Sequence, residues 1–173
     1  MSSMDVPFIN RLPPELLVAI TTFIAHQRTT FRLATVCRYW HDALTGTATL
    51  WTSIDCKSKS RTSILLQRSK SSPIDVAIDY TDYVPEAASL VASHTHRVRS
   101  INLTSYYGTL EGSYSLLSGP APILGAIRVQ GRDYTSHVRP LPLYSSSFQG
   151  RFPALRTLCV WKAIPSISLD PYQ

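Results

Sequence analysis

Between Leu12 and Trp51 the chain carries more bulky apolar side chains than a segment of that length can hide by itself. The run Leu12-Pro13-Pro14-Glu15-Leu16-Leu17 is followed by Leu33-Ala34-Thr35-Val36-Cys37-Arg38-Tyr39-Trp40, and then by Leu50-Trp51. Pro13 and Pro14 fix backbone φ where a helix can begin, and Glu15 puts negative charge in the first turn, where the helix dipole favours it. Leu16, Leu17, Ile20, Phe23 and Ile24 recur at helical spacing and make one wide apolar stripe. His26-Gln27-Arg28 is polar, and Thr29 or Thr30 can cap a second helix in which Leu33, Val36, Cys37 and Trp40 share a face. Arg32, Arg38 and His41 point elsewhere, and Gly46 ends that helix. A helical unit of about 40 residues lies near the lower size limit for independent folding and needs a partner or a neighbouring domain. Two readings follow: a docking surface for another protein, or an N-terminal subdomain packed on the rest of its own chain.

After Trp51 the pattern changes. A helical stretch around 61–69 carries Ile64, Leu65 and Arg68, Ser72-Pro73 punctuates, and Ile74-Asp75-Val76-Ala77-Ile78 alternates as a half-buried strand does. Pro85 opens a further helix whose apolar residues are Ala87, Ala88, Leu90 and Val91. A spaced pattern then recurs as Val98-x-x-Ile101-x-Leu103, Leu124-x-x-Ile127-x-Val129 and Leu155-x-x-Leu158-x-Val160, with offsets of 26 and 31 residues. Such spacing predicts short strands with the alternate residues on opposite faces, and Leu110, Leu116 and Leu117 would supply the convex side. The stretch 131–151, with Pro140, Pro142 and Ser145-Ser146-Ser147, reads as a long loop. Beyond Val160 come Ile164, Ile167 and Leu169 and no evident polar cap, so the expectation is a short or truncated array.

Taken as a set, Leu12, Pro13, Glu15, Leu16, Ile20, Phe23, Leu33, Val36, Cys37, Arg38, Trp40, Leu50 and Trp51 resemble the F-box, in the F-box-like form of large fungal families. One departure is Thr29-Thr30-Phe31-Arg32, where acidic or leucine-containing loops are common in that family. The resemblance implies a three-helix F-box that docks on a Skp-type adaptor and, through it, on a cullin–RING ubiquitin ligase. The spaced apolar copies resemble the degenerate leucine-rich repeats that follow the box in such proteins, where they select a protein substrate. The expected fold is therefore α/β (α+β), a three-helix F-box followed by a short, degenerate leucine-rich-repeat-like β/α solenoid. The expected layout is a flexible N-terminus over 1–8, the box over 9–55 and the incomplete repeat region over 56–173. Adaptor binding is assigned to Leu12, Pro13, Leu16, Ile20, Val36 and Trp40, with Trp51 packing the box onto the first strand. The strand faces at Ser100–Leu103, Arg128–Gln130 and Thr157–Trp161 are the candidate substrate surface.

Composition fits a folded adaptor. Hydrophobic content is 44% against 16% charged, which supports a core and argues against global disorder. Met1 to Asn10 has no apolar run of a secretory signal, and no stretch is apolar for long enough to cross a bilayer. Three scattered cysteines, Cys37, Cys56 and Cys159, suit a reducing compartment, so the expected location is cytoplasmic, nuclear or both. A net charge of +6 invites a nucleic-acid reading, with Lys57, Lys59, Arg61, Arg68 and Lys70 clustered and Arg97 and Arg99 later. No interleaved aromatics or recognised nucleic-acid motif accompany them, and a solvated basic flank is the simpler expectation.

Catalytic and metal signatures are weak. His94-x-His96 lacks a third ligand nearby, and Asp75, Asp79, Asp82 and Glu86 lack the glycine and spacing of a calcium loop. Asn102-Leu103-Thr104 fits a glycosylation acceptor but falls within a strand. No nucleophile elbow, phosphate-cradling loop or C-x-x-C pair occurs. The expectation is thus a non-catalytic adaptor without cofactor or metal. Two alternatives remain: an F-box-like scaffold that assembles no ligase, and a basic nucleic-acid-binding protein.

Overall fold

The proline pair starts the first helix as its chemistry requires. The Pro13 carbonyl accepts from the backbone N–H groups of Leu16 (3.0 Å) and Leu17 (3.2 Å), and α1 runs over Pro14–Ile24. The computed structural model describes residues 12–24, 27–79, 85–105, 119–131, 141–144, 153–161 and 165–168. The N-terminal stretch expected to be flexible lies outside the described residues, as do Leu110, Leu116 and Leu117.

Two further short helices follow, α2 over Gln27–Leu33 and α3 over Arg38–Gly46. This corrects the expectation of one continuous face through Leu33, Val36, Cys37 and Trp40. Tight turns end α2, where Thr35 N–H donates to Arg32 O (3.1 Å) and Val36 N–H to Leu33 O (3.2 Å). Cys37 is then extended (φ −160°), and its carbonyl accepts from His41 N–H (2.9 Å) to open α3. Thr30 is likewise no cap but lies buried inside α2. The third helix ends at Gly46 as expected. The core of this unit holds Leu17 of α1, Ala34, and Trp40 and Leu44 of α3. A hydrogen bond from the Tyr39 hydroxyl to the Leu12 carbonyl ties the approach to α1 onto α3.

After a 3-10 turn at Ala48–Trp51 the chain alternates strand and helix: β1 (Ser53–Asp55), α4 (Lys59–Arg68), β2 (Ile74–Asp79), α5 (Pro85–Ala92) and β3 (Val98–Ser105). Then come β4 (Ala126–Gly131), β5 (Leu141–Tyr144), β6 (Thr157–Trp161) and β7 (Pro165–Ser168). Five strands make one parallel sheet in the order β1-β2-β3-β4-β6, while β5 and β7 make a separate parallel pair. The expected loop over 131–151 thus contains β5. Pro142 in β5 and Pro165 in β7 are tolerated because each strand of a two-stranded sheet keeps one edge unpaired.

The spaced apolar copies fall in register. Ile101 aligns with Val76 on one side and Ile127 on the other, and Ile127 with Leu158. Ile54 of β1 aligns with Val76, so Trp51-x-x-Ile54-x-Cys56 is an earlier instance of the same spacing. Ile54, Val76, Ile78, Ile101, Leu103, Ile127 and Val129 are all buried. They form one core with Leu65 and Leu66 of α4 and Ala87, Ala88 and Val91 of α5. In β6, at the edge of the five-stranded sheet, Leu158 is 41% exposed. The architecture is therefore α/β, with a helical N-terminal unit and a parallel sheet.

Candidate functional site

Two surfaces answer to the sequence expectations. The first is the outer side of α1. At about 100° of turn per residue, Leu16, Ile20, Phe23 and Ile24 span a single arc beside the inward pair Leu17 and Thr21. That outer arc is uncovered, with Leu16 50%, Ile20 44%, Phe23 96% and Ile24 55% exposed. Pro13 is exposed at its start, Leu12 is half-buried, and Val36, in the turn between α2 and α3, is 60% exposed. Trp40 does not belong to this surface. It is buried in the core of the helical unit, so it can support the outer arc only from behind. Sequence periodicity locates the stripe but not the line along which it divides between core and solvent, and Phe23, the most exposed member, lies outside the residues assigned to adaptor binding.

The second surface is the sheet face opposite the core. Strand alternation sends Ser100, Asn102 and Thr104 of β3, and Arg128 and Gln130 of β4, away from the buried residues. Register then places Asn102, Arg128 and Cys159 side by side, and Thr104, Gln130 and Trp161 in the next row. The three stretches named as a substrate surface are therefore neighbours, and Trp161 is 68% exposed among them.

Charges on this face are mostly neutralised in place. Arg99 donates to Asp75 through Nε (3.1 Å) and Nη2, and the Ser100 hydroxyl donates to the same carboxylate (2.6 Å). Burial pushes the Asp75 carboxyl up, but those hydrogen bonds and the charges of Arg99 and Arg128 outweigh it and hold it below its usual range.

Of the basic cluster, Arg61 and Arg68 are drawn into the fold, while Lys57, Lys59 and Lys70 stay exposed as the side chains of a solvated flank do. Arg61 pairs with Asp55 (3.1 Å), donates to Gln27 Oε1 (2.9 Å) and lies over the Phe31 ring (5.2 Å). Arg68 sits 4.4 Å from the Trp51 ring centroid, and Lys70 donates to Gly46 O (3.2 Å). Trp51 is fully buried, meets Phe31 edge-on (5.0 Å) and donates to Leu44 O (2.8 Å). It thus joins α2 and α3 to α4, within the same core that holds Ile54 of β1. Gln27 adds a hydrogen bond to the Ser53 carbonyl in β1. Arg97 is also buried and donates to Ser69 Oγ (2.9 Å), Ser72 O (3.1 Å) and Leu66 O (3.1 Å).

The F-box-like family matches the chain at residues 9–57, a span that covers all three helices, Trp51 and β1. Residues 9–57 are an F-box-like domain. Such domains serve protein interaction in adaptors that are generally non-catalytic, and the exposed arc of α1 is the apolar face of this one. No curated protein and no solved structure matches the chain. Among the described residues no helix is long and apolar enough to cross a membrane, and no cluster of His, Cys, Asp and Glu could hold a metal ion.

Proposed function

We propose that this chain is a substrate-recognition adaptor of an SCF-type, cullin–RING ubiquitin ligase, acting in the cytoplasm, the nucleus or both. The F-box-like domain docks on a Skp-type adaptor through Leu12, Pro13, Leu16, Ile20 and Val36, extended by Phe23 and Ile24, while Trp40 holds the helices beneath them. The sheet face carrying Asn102, Arg128 and Trp161 takes a protein substrate, and the ubiquitin transfer chemistry belongs to other subunits. One observation carries the reading. The outer arc of α1 is apolar and remains uncovered by the rest of the described chain. Leaving several large aliphatic side chains half in water forfeits about 1 kcal/mol or more each, which a partner's groove would recover.

The downstream region supports the second half of the reading. The five strands of the main sheet stack in order of sequence, with β5 set aside in a second sheet, and their apolar positions align, as expected of a degenerate leucine-rich-repeat-like array. β4 with β5 and β6 with β7 repeat the same two-strand unit.

The test uses the full chain and a purified Skp-type adaptor. Leu16→Ala with Ile20→Ala should weaken adaptor binding about a hundred-fold and leave the thermal midpoint nearly unchanged, since both side chains are about half exposed. Unfolding of the double variant, or unchanged binding, would defeat the docking assignment. Recovery of the adaptor with no cullin in the complex would favour a scaffold that assembles no ligase.

A further inference from the structure

Among the described residues, one cation of the open sheet face has no hydrogen bond or ion pair, though its charge helps hold Asp75 ionised. Asp75 is held by Arg99 and Ser100, Asp55 by Arg61, and Asp79 is engaged as well. Arg128, on β4 between β3 and β6, is exposed and makes no hydrogen bond or ion pair with the described residues. Its register neighbour Asn102 and the next residue outward on its own strand, Gln130, offer amide donors, and Trp161 stands beside Gln130 on the adjoining strand.

Resting on the adaptor reading above, we propose that this face selects an extended protein segment with an acidic residue and an apolar residue two positions apart. Arg128 takes the carboxylate, and Trp161 takes the apolar side chain. The geometry matches the ligand's own spacing. Arg128 and Trp161 are one strand and two residues apart, a Cα separation of about 8 Å, while alternate residues of an extended peptide lie about 7 Å apart on one side. A guanidinium that must be desolvated repays that cost best against a planar carboxylate it can grip with two donors.

Charge decides between a peptide and a nucleic acid. Tracking a phosphate backbone needs several free cations along a path. Among the described residues Arg128 is the one guanidinium of this face without a hydrogen bond or ion pair, and Asp75, two strands away, already feels its charge, so the described face suits one anionic group better than a polyanion.

The experiment selects a library of randomised short peptides on the immobilised full chain, in parallel with Arg128→Gln, Arg128→Glu and Trp161→Ala chains. Enriched sequences should carry aspartate or glutamate with an apolar residue two positions away. Synthetic peptides of that pattern should lose about ten-fold or more in affinity when the acid is amidated, or when Arg128→Gln replaces the parent chain. Arg128→Glu should reverse the preference toward lysine peptides, and Trp161→Ala should erase only the apolar preference. Selection without acidic enrichment, or enrichment indifferent to Arg128→Gln, overturns the proposal. So does tighter binding of a single-stranded oligonucleotide than of any peptide. Adaptor binding measured on the same variants separates the two readings: retained adaptor binding with no peptide preference removes this inference alone.

Discussion

Replacing Arg97 tests whether a buried cation with no carboxylate partner among the described residues holds the sheet to its covering helix. Arg97, in the 3-10 turn just before β3, is 5% exposed, and its guanidinium spans the end of α4, bonding Leu66 O, Ser69 Oγ and Ser72 O. Burial lowers its pKa from the ordinary arginine value, yet the site suits positive charge because the last carbonyls of a helix carry the negative end of its dipole. Hydrogen bonds to a charged donor contribute about 1.5–3 kcal/mol each, but removing the guanidinium also removes its own desolvation cost. Ser72 is partly exposed and can turn to water, whereas the Leu66 carbonyl cannot be rescued so easily. The net loss for Arg97→Met, which keeps most of the volume, is therefore about 2–3 kcal/mol. With a urea slope of about 2 kcal/mol/M, the unfolding midpoint followed by far-UV circular dichroism should fall by roughly 1–1.5 M. Arg97→Lys keeps the charge but not the fork of donors, and should recover no more than about half of that loss. A midpoint for Arg97→Met within about 0.3 M of the parent would refute the reasoning, because the three bonds would then be offset by the cost of burying the charge.

Two other outcomes can be checked on the same protein. Asp75 is held below its unfolded carboxylate value, so its contribution is present above about pH 4 and is lost as pH falls through its folded value. Asp75→Asn should flatten the acid limb of the stability profile by less than about 1 kcal/mol, because the pair with Arg99 is partly exposed; an unchanged limb would contradict the pairing. Burial, with the Asp55 charge adding to it, pushes the Cys56 thiol up to about 12. At neutral pH a maleimide should label exposed Cys159 quickly and Cys56 only after denaturant is added; rapid labelling of Cys56 in the native chain would show that β1 does not pack as described.

Much of this architecture was readable from spacing, and the exceptions have particular causes. Ile74 to Ile78, Val98 to Leu103 and Leu124 to Val129 declared their strands because alternation has a single solution when one face is buried. The earliest strand is harder to read, because Trp51-x-x-Ile54-x-Cys56 has the same spacing while Leu50-Trp51 also completes the apolar set of the helical unit. The break between α2 and α3 was invisible to periodicity. Leu33, Val36, Cys37 and Trp40 satisfy steps of three and four even though two different helices and a turn supply them. Burial of charge was also illegible. Arg97 and Arg99 are two residues apart, yet one lies inside the protein beneath a helix end and the other pairs with Asp75 at the surface. For the outer arc of α1, sequence supplied the stripe, and only the packing of Leu17 and Thr21 inward fixed which part of it stays wet.

The indole of Trp51 lies within the matched domain, while the arginine stacked on it comes from the first helix of the sheet region. A cut between the two halves would therefore bare an aromatic surface and part β1 from β2, the strand it pairs with. The joint works as a welded bracket and not a hinge. Cargo gripped on the sheet would be presented at a constant bearing to whatever clasps α1, and lengthening this junction with glycines should slacken that aim before it weakens either grip.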